Sequence, residues 1–408
     1  MISFKKNLQY YKFSAYGFLK NLRFFDAFFI LFLISQGLSY TQIGILYAVR
    51  EIAINLLEIP SGILADTFGR RRALIISFLS YIASFLIFYL SNNFFLFLLA
   101  FILFGAGDAF RSGTHKGLIM DYLKQRNWSD QKIAYYGHTR SWSQRGAAIS
   151  SLIAGLILFA HGNYQDIFLF STLPYILNMI LIISYPKELD QVRKASREEA
   201  LGSTFRSFFA VMKNIQVIKL ISHSALHSAY LKAIKDYIQP LMLQVALLIP
   251  LIQDVNRDQQ NGLSIGVFYF VIYLITSFAS RSASSIEQKN RQNIVMLTLM
   301  LGFFAGILSG ILYQTGLQIL ALVSFVMIYI IENIRKPIMT GYVADQVPGE
   351  ILSSVLSAQS LIKTVITAGI ALLFGVFADL LGIGLSLCIV SGILTLGMLL
   401  LGLFSSKK

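Results

Sequence analysis

Residues 95–118 read FLFLLAFILFGAGDAFRSGTHKGL, an apolar run that gives way to an acid, an arginine, a histidine and a lysine. A helix needs about 20 residues to cross the hydrocarbon core of a bilayer, and this run is long enough. Asp108 and Arg111 lie inside the run rather than at its edge. A charge at the bilayer centre costs about 2.5–3.5 kcal/mol even on insertion scales, so both side chains must face protein or water. The stretch therefore predicts a membrane helix with one polar, inward face.

Eleven other apolar stretches accompany this one, and their charged residues follow a period of three. The twelve predicted helices cover 14–36, 43–65, 74–92, 95–118, 139–160, 167–185, 215–246, 263–280, 294–313, 317–340, 352–378 and 383–404. The first, fourth, seventh and tenth hold 13 charges, the second, fifth, eighth and eleventh hold 6, and the others hold none. We therefore predict an all-α integral membrane protein in which four helices line an interior polar space and four lie outermost, against lipid.

Composition and charge distribution agree with a multi-pass membrane protein. The 408 residues are 56% hydrophobic and 13% charged, whereas a soluble domain is about 25% charged. The net charge of +14 would suit a nucleic-acid-binding protein, but 20 of the 34 Lys and Arg residues fall in segments expected inside and one, Arg257, falls outside. By the positive-inside rule this asymmetry predicts cytoplasmic termini and excludes nucleic acid as the reason for the charge. We expect the inner (plasma) membrane of a bacterium.

The longest polar stretch divides the predicted helices into two sets of six. We predict an N-terminal six-helix bundle at 1–185, a cytoplasmic linker at 186–214 and a C-terminal bundle at 215–408. A repeat with an offset of 224 residues relates Asp108, Arg111, Gly117 and Asp121 to Glu332, Arg335, Gly341 and Asp345. Repeated halves around a central site are a common construction of transporters, so the pattern favours transport.

The loop between the second and third predicted helices carries a recognisable motif. It reads Gly62-Ile-Leu-Ala-Asp66-Thr-Phe-Gly69-Arg70-Arg71-Arg72. It resembles the signature loop of the major facilitator superfamily, G-x-L-A-D-x-x-G-R-R/K. The resemblance implies twelve transmembrane helices in two six-helix bundles related by a pseudo-two-fold axis, and transport by alternating access.

The same resemblance implies a gate in this loop, because the family uses the acid of the motif to hold the outward-open state. The gating candidates are Gly62, Asp66, Gly69, Arg70 and Arg71. The alternative interpretation is that the arginines only anchor the loop to anionic lipid.

Charged side chains on the lining helices are the candidate site. Asp108 and Arg111 are spaced i, i+3, as are Glu332 and Arg335, so each pair shares a helix face. The helices hold 13 basic and 6 acidic residues, and an anionic solute would offset that excess. We predict an organic anion such as a carboxylate, phosphate ester or acidic chelate. Candidate binding residues are Arg111, Lys232, Lys235, Arg335, Lys363, Arg145 and Tyr329.

Proton coupling is the predicted energy source, through Asp26, Asp108 or Glu332, because neither a sodium-specific pattern nor a nucleotide-binding loop is present. His223 and His227 are spaced i, i+4 and could bind a metal. No third ligand is evident, so proton carriage or plain hydrogen bonding is the preferred interpretation. We expect no metal and no other cofactor.

Two alternatives stay open. A drug/proton antiporter is compatible with Asp26, but such antiporters resemble a Gly- and Pro-rich pattern late in helix 5, and residues 146–155 contain no proline. A membrane-embedded enzyme or receptor would need a catalytic set, and only His223 with His227 approaches one. We therefore expect a monomeric transporter rather than an enzyme, with the lipid bilayer, protons and a small solute as its partners.

Overall fold

The computed structural model describes residues 6–128, 131–190, 215–248, 257–286, 291–347 and 352–405. All regular structure in these ranges is helical. The α-helices are α1 (Leu8–Lys20), α2 (Phe29–Ser35), α3 (Tyr40–Phe68), α4 (Arg70–Leu90), α5 (Phe94–Arg111), α6 (Thr114–Gln125), α7 (Lys132–His161), α8 (Tyr164–Ile183), α9 (Ile215–Ile234), α10 (Ile238–Leu248), α11 (Arg257–Ile286), α12 (Arg291–Gln314), α13 (Gln318–Gln346) and α14 (Leu352–Ser405). Short 3-10 segments occupy Phe24–Ala27, Lys187–Asp190 and Lys235–Tyr237.

Eight stretches among the described residues are long and apolar enough to cross a membrane. They are Arg70–Leu90, Phe94–Gln125, Ser141–His161, Tyr164–Ile183, Asn261–Ala279, Ile294–Gln314, Gln318–Lys336 and Ala358–Leu399. The last contains two of the predicted spans, because Gly382 interrupts α14 with a φ of 82° that glycine adopts without strain. The first, second and seventh predicted spans correspond to α1 with α2, to α3 and to α9 with α10, which are more polar or broken. The predicted all-α, twelve-span membrane fold is confirmed.

Asparagine and glycine set several helix ends. Asparagine does so through its side-chain oxygen and glycine through its backbone freedom. Asn93 Oδ1 accepts the Phe95 N–H at 2.8 Å before α5, and Asn163 Oδ1 accepts the Gln165 N–H at 3.0 Å before α8. Gly162 ends α7 in the left-handed region, with a φ of 70°. These caps satisfy backbone groups that a helix end would otherwise leave unpaired inside or beside the membrane.

One compact unit comprises Met1–Gln36, Val49–Lys194 and Leu251–Phe270. In it α1 packs against α7 and α8, and α4 packs against α5 and α8. Phenylalanine rings fill the space between these helices. Phe88 lies 4.9 Å from Phe168 between ring centroids, and Phe25 stacks on Phe168 at 5.8 Å. Offset and edge-on ring contacts of this kind give a dense apolar core.

The other compact unit comprises Gly37–Ala48, Ala195–Pro250 and Val271–Lys408. In it α12 packs against α13 and α14, and α9 packs against α14. The start of α3 crosses α14 closely, because a Cβ at Gly44 would lie 2.5 Å from the Ala371 carbonyl oxygen. Small residues permit such approaches between membrane helices. Residues 191–214 of the predicted linker lie outside the described residues, and the predicted bundle boundaries stay a prediction.

Four uncharged spans present apolar side chains outward. Leu79 on α4, Leu173 on α8, Leu297 on α12 and Leu396 on α14 are between 52% and 63% exposed. These are the third, sixth, ninth and twelfth predicted helices, which the absence of charge had placed against lipid. An exposed leucine face is stable in hydrocarbon, so the outermost helices carry no penalty there.

Three of the helices predicted to line the polar space are broken. The sequence had been interpreted as a continuous helix at each of these places. The 3-10 segment Phe24–Ala27 separates α1 from α2, and Lys235–Tyr237 separates α9 from α10. Gly113 separates α5 from α6 with a φ of 72°. Pro240 lies in the first turn of α10, where a missing N–H costs no helical bond.

Candidate functional site

Asp108 is the centre of an ion-pair network in the first unit. The Arg111 Nη2 lies 2.9 Å from Asp108 Oδ1, and the Arg23 Nη2 lies 3.8 Å from the same oxygen. The Tyr81 hydroxyl donates to that oxygen at 2.5 Å and accepts a hydrogen bond from Arg111 Nε at 3.1 Å. The Asp26 carboxylate lies 3.8 Å from Arg23. Two guanidinium groups and a phenol thus hold the Asp108 carboxylate.

Two interruptions of the backbone position these groups. Arg23 lies at the start of the 3-10 segment that follows α1, while Asp108 and Arg111 share the last turn of α5. The spacing i, i+3 brings the last two together, as predicted. The αL conformation of Gly113 then redirects the chain, so His115 lies on the first turn of α6 rather than on a continuation of the same helix.

A cavity of about 200 Å³ opens beside Arg111 and is lined by α1, α7 and the junction of α5 with α6. Its basic lining residues are Lys20, Arg111, His115 and Lys116, and no acid lines it among the residues that the structure describes. Lys20, near the end of α1, forms part of this wall. Arg111 is paired with Asp108, which is not part of the lining, and Lys20 and Lys116 add further positive charge to the wall. The cavity is therefore suited to an anion.

Aromatic and hydroxyl groups complete the cavity wall. The ring of His115 stacks on Tyr16 with centroids 3.5 Å apart and planes 7° from parallel. Ser143 of α7 also lines the cavity, and the adjacent Trp142 contacts Phe18 with centroids 6.4 Å apart. Arg145, a predicted binding residue, is exposed and lies over the Trp142 ring, 5.0 Å from its centroid. It is therefore near the cavity but is not part of the lining.

Glu332 is the corresponding buried acid of the second unit, and a histidine and a serine hold it. The His227 Nδ1 lies 2.7 Å from Glu332 Oε2, and the Ser228 hydroxyl donates to Glu332 Oε1. Both donors come from α9, whereas the acid comes from α13. The sequence pattern singled out His227 without a partner and gave no sign of Ser228.

Arg335, although predicted to bind substrate, is directed into the helix packing of its own unit. Its guanidinium donates to the Thr298 hydroxyl and to the His223 carbonyl oxygen, each at 3.0 Å, and also to the carbonyl oxygen of Val295. The residue is 1% exposed. These contacts tie α13 to α9 and α12.

The remaining predicted residues of the second unit cluster around the break between α9 and α10. The Lys235 ammonium lies 3.2 Å from the Asp236 carboxylate, which also accepts the Tyr47 hydroxyl at 2.8 Å. The Tyr329 hydroxyl donates to the Lys235 carbonyl oxygen at 2.7 Å. The other two candidates, Lys232 on α9 and Lys363 on α14, are partly buried.

The motif loop forms the tight junction between α3 and α4. Gly69 adopts a φ of 98° at the start of α4. Arg70 lies 2.7 Å from the Asp121 carboxylate, and Arg71 donates to the Tyr185 carbonyl oxygen at 3.2 Å. Both arginines therefore contact the protein itself. Gly62 lies within α3, and the side chain of Asp66 lies outside the described residues.

Gly117 makes room for the Arg70 guanidinium. A Cβ at position 117 would lie 2.2 Å from Arg70 Nη1. Gly117 and Asp121 are both members of the 224-residue repeat, so in the first unit the repeat marks the contact between α4 and α6.

The structure thus brings Arg111 and Asp108 together with Arg23 and Asp26 in the first unit, where Arg145 is not part of the cavity lining. In the second unit Arg335 bonds to α9 and α12. Tyr81 and Tyr16 were missed, because nothing distinguishes them among the 20 tyrosines of the chain. Ser228 was also missed. The signal that was available is the adjacency of Ser228 to His227 on a helix predicted to line the polar space.

Comparisons with known proteins agree with this architecture. A profile of the Major Facilitator Superfamily matches residues 17–368. An uncharacterized MFS-type transporter of Bacillus subtilis (strain 168), YxaM, is 34% identical over 105 residues, a match that spans 26% of this chain and 26% of that protein's length. The solved structure of the nucleoside transporter NupG matches with a TM-score of 0.75 and 12% identity, covering 98% of this chain and 100% of NupG. The peptide transporter POT in complex with sulfate matches with a TM-score of 0.71 and 14% identity, covering 97% and 94%. At these identities the likeness to the two structures shows the fold alone.

Proposed function

Because the chain belongs to the major facilitator superfamily and is a multi-pass membrane transporter rather than an enzyme, we propose that it moves a small organic anion by alternating access with proton coupling. Residues 1–185 and 215–408 are its two bundles, joined by the cytoplasmic linker 186–214. Both termini lie in the cytoplasm of a bacterium, at its plasma membrane. The excess of 20 basic residues over one in the connecting segments supports this orientation.

The observation that carries the proposal is the charge of the cavity in the first unit. Lys20, Arg111 and Lys116 line it, and Asp108, the partner of Arg111, is shared with Arg23 and is not part of the lining. Unbalanced positive charge in a membrane protein is costly, and an anion entering the cavity offsets it. A hydrophobic cation would increase the imbalance, so the charge favours an organic anion over the cationic substrates of many efflux pumps.

Two cationic groups in the wall have donors to spare. Arg111 uses its Nε on Tyr81 and its Nη2 on Asp108, and the structure gives its Nη1 no bond to a described residue. The Lys20 ammonium likewise has no hydrogen-bond or ion-pair partner among the described residues, although it lines the cavity. A carboxylate or phosphate oxygen placed between these groups would gain charge-assisted hydrogen bonds from both.

The size of the cavity favours a compact solute. At about 200 Å³ it is smaller than the roughly 300–1,000 Å³ typical of sites for drug-sized ligands. A short carboxylic acid or a small phosphate ester suits this volume better than a bulky lipophilic drug.

The test is uptake into proteoliposomes that contain the purified full-length protein. Labelled carboxylates and phosphate esters are compared with their neutral amide or alcohol analogues, with and without an imposed pH gradient. We expect uptake of the anions, accumulation that depends on the gradient, and little uptake of the neutral analogues. Preference for hydrophobic cations would overturn the substrate class, and accumulation indifferent to the gradient would overturn the coupling.

A matched pair of variants tests whether the anion binds in this cavity. Lys20→Gln should raise the KM for the anion roughly 10- to 100-fold, the equivalent of about 1.5–3 kcal/mol for a charge-assisted hydrogen bond. Lys124→Gln removes the same charge from the exposed end of α6 and should leave the KM unchanged. Equal KM values for the two variants would show that Lys20 does not bind the substrate, which would contradict the proposed site.

A further inference from the structure

We propose that the cavity of the first unit binds the phosphate group of a soluble phosphate monoester against the start of α6, with the Tyr16 hydroxyl among its hydrogen-bond donors. This inference rests on the proposed anion transport and narrows the anion from carboxylates and phosphate esters to the latter. It also gives a role to the break between α5 and α6, and to a tyrosine that the transport proposal leaves unused.

The break after α5 leaves the start of a helix inside a membrane span. The stretch Phe94–Gln125 is apolar enough to cross the membrane as a whole, and α6 begins within it at Thr114. The Gly117 N–H donates to the Gly113 carbonyl oxygen at 2.8 Å, but the N–H groups of Thr114 and His115 have no acceptor among the described residues. Such N–H groups give a helix start the equivalent of about half a positive charge, and they bind anions.

No side chain among the described residues caps this end of α6. Gly113 occupies the N-cap position and has no side-chain oxygen to offer. The Thr114 hydroxyl donates to the Phe110 carbonyl oxygen at 2.8 Å, and the Ser112 hydroxyl lies 3.5 Å from Glu58 Oε1. Both neighbouring hydroxyls are therefore engaged elsewhere, and the N–H groups of the first turn are left to an acceptor from outside the chain.

The start of α6 is part of the cavity wall. Gly113 and His115 both line the cavity, and a glycine can do so only with its backbone. Gly113 adopts a φ of 72°, which favours glycine, and a Cβ built there would meet nothing within 4 Å. The space in front of the helix is therefore open, as an anion site at a helix terminus requires.

Tyr16 gives an independent indication that this cavity takes a hydrogen-bond acceptor. Its side chain lines the cavity and is 3% exposed, yet its hydroxyl has no hydrogen-bond partner among the described residues. Its ring stacks on that of His115, with centroids 3.5 Å apart, so it lies against the first turn of α6. A buried hydroxyl without a partner is unfavourable, and an oxygen of a bound anion would satisfy it.

The number of donors favours a phosphate over a carboxylate. Besides the Tyr16 hydroxyl and the start of α6, the wall provides Arg111 Nη1, the Lys20 ammonium and the Ser143 hydroxyl, and the structure gives none of these a partner among the described residues. A carboxylate offers two oxygens and a single charge, whereas a phosphate monoester offers three terminal oxygens and a charge of about −1.5 to −2. The third oxygen and the larger charge match this set of donors.

The charges of the wall also suit a dianion. Lys20 and Lys116 each contribute a positive charge, and the start of α6 adds to them. The Asp108 carboxylate, which pairs with Arg111, is not part of the lining, and neither is Glu58. A singly charged carboxylate would offset less of this positive charge than a doubly charged phosphate does.

Calorimetric titration of the full-length protein in phosphatidylcholine nanodiscs tests the class of anion. The probes are methyl phosphate, dimethyl phosphate and acetate at a slightly alkaline pH, where the first is mostly a dianion and the other two are monoanions. We expect methyl phosphate to bind roughly 10- to 100-fold more tightly than either monoanion, because it forms at least one further charge-assisted hydrogen bond. Equal affinity for acetate would overturn the phosphate assignment and leave the anion proposal standing.

Tyr16→Phe tests the hydroxyl and keeps the ring that stacks on His115. The affinity for methyl phosphate should fall roughly 10- to 100-fold, as expected for the loss of a hydrogen bond to a charged group. The melting temperature without ligand should not fall, because the hydroxyl has no hydrogen bond to lose. A lower melting temperature with unchanged affinity would show that Tyr16 is structural and would overturn its place in the site.

Substitutions of two glycines test the start of α6. Asn and Asp have the same shape, and both tolerate the left-handed region better than other residues with a side chain. Gly113→Asp places a carboxylate in the cavity and should weaken methyl phosphate binding roughly 100-fold or more relative to Gly113→Asn, because like charges repel. Gly162→Asp is the control, since Gly162 has a φ of 70° at the end of α7 and does not line the cavity. Equal affinities for the two Gly113 variants would overturn the assignment to α6.

Two further measurements separate a soluble ester from a lipid, and the site from transport. Phosphatidate also carries a phosphate monoester, so the titration is repeated in nanodiscs that contain it. Unchanged affinity for methyl phosphate supports a soluble ester, whereas weaker affinity would assign the site to the headgroup of a lipid and overturn the soluble substrate. If methyl phosphate binds as expected but proteoliposomes accumulate no phosphate ester, the phosphate site stands and the transport proposal fails.

Discussion

Arg335 lies one helical turn from Glu332, yet its guanidinium donates to the Thr298 hydroxyl and the His223 carbonyl oxygen, and these two described residues form no ion pair with each other. Their counterparts in the repeat, Asp108 and Arg111, form an ion pair at 2.9 Å. The repeat has therefore kept the residue types and changed the contacts. One unit contains an ion pair at this position, and the other contains an acid held by the His227 ring and the Ser228 hydroxyl.

Removing the charge of Asp108 should destabilise the protein. Asp108→Asn leaves Arg111 and Arg23 without their shared carboxylate, and we expect a loss of about 3–5 kcal/mol in the free energy of unfolding. Thermal unfolding of the detergent-solubilised protein measures it. Asp108→Asn combined with Arg111→Gln should lose less than the sum of the single changes, because the unpaired charge is removed as well. Strict additivity would contradict the ion-pair network.

The contact of Arg70 with Asp121 should depend on the glycine beneath it. Gly117→Ala places a methyl group against the Arg70 guanidinium and should lower the transport rate as Arg70→Gln does. Because both changes disrupt one contact, the double variant should differ from either single variant by no more than about 0.5 kcal/mol in activation free energy. Arg72→Gln, at an exposed neighbour, is the control for loss of charge in the loop. Independent, additive effects would show that Gly117 acts elsewhere.

Asp379 should act as the N-terminal cap of α3. Its two oxygens accept the backbone N–H groups of Tyr40 and Thr41, at 2.8 and 2.7 Å. Asp379→Ala should weaken the first turn of α3 by about 0.5–2 kcal/mol, and Asp379→Asn by less, since the amide keeps one acceptor. Faster hydrogen exchange at residues 40–43 measures the effect, with the first turn of α8, capped by Asn163, as the internal reference. Unchanged exchange in Asp379→Ala would rule out capping.

The same cap should have a definite pH dependence. Partial burial raises the pKa of Asp379, but the hydrogen bonds from Thr41 and Tyr40 outweigh it and hold the pKa below its usual value. A depressed pKa means that the ionised form is the one favoured by folding, so the contribution is complete above the ordinary pKa of about 4 and is lost as the pH falls further. Exchange at residues 40–43 should accelerate relative to the α8 reference only below that pH. Relative acceleration at neutral pH would contradict the assignment.

The crossing of α3 with α14 should tolerate no side chain larger than hydrogen. Gly44→Ala would put a methyl group 2.5 Å from the Ala371 carbonyl oxygen, and Gly375→Ala would put one 2.4 Å from the Tyr40 carbonyl oxygen. Overpacking of this kind costs about 1–3 kcal/mol, measurable by thermal unfolding. Gly369→Ala, in open space on the same helix, should be neutral or stabilising by about 0.5–1 kcal/mol. Equal melting temperatures for all three would argue against a close crossing.

The membrane spans could be predicted because their signals are local and strong. Hydropathy identifies a span within one segment, and the cost of a buried charge separates lining helices from outer ones without knowledge of their partners. The pairing of Asp108 with Arg111 followed from the i, i+3 spacing. These inferences needed only the geometry of one helix.

The partners of Glu332 could not be predicted in this way. His227 is 105 residues away in sequence, and no periodicity relates the two. The break at Gly113 was also missed, because a single glycine in an apolar helix is usually tolerated. The contacts depend on how helices pack and on which nitrogen of a ring finds an acceptor, which are tertiary properties.

The placement of Trp142 has a practical consequence for ligand discovery. The chain has two tryptophans, Trp128 and Trp142, and the latter adjoins Ser143 in the cavity wall. In a Trp128→Phe variant, the indole of Trp142 becomes the sole tryptophan emitter. Its fluorescence then provides an intrinsic optical reporter, so candidate solutes can be screened by titration of unlabelled protein before any flux assay is built.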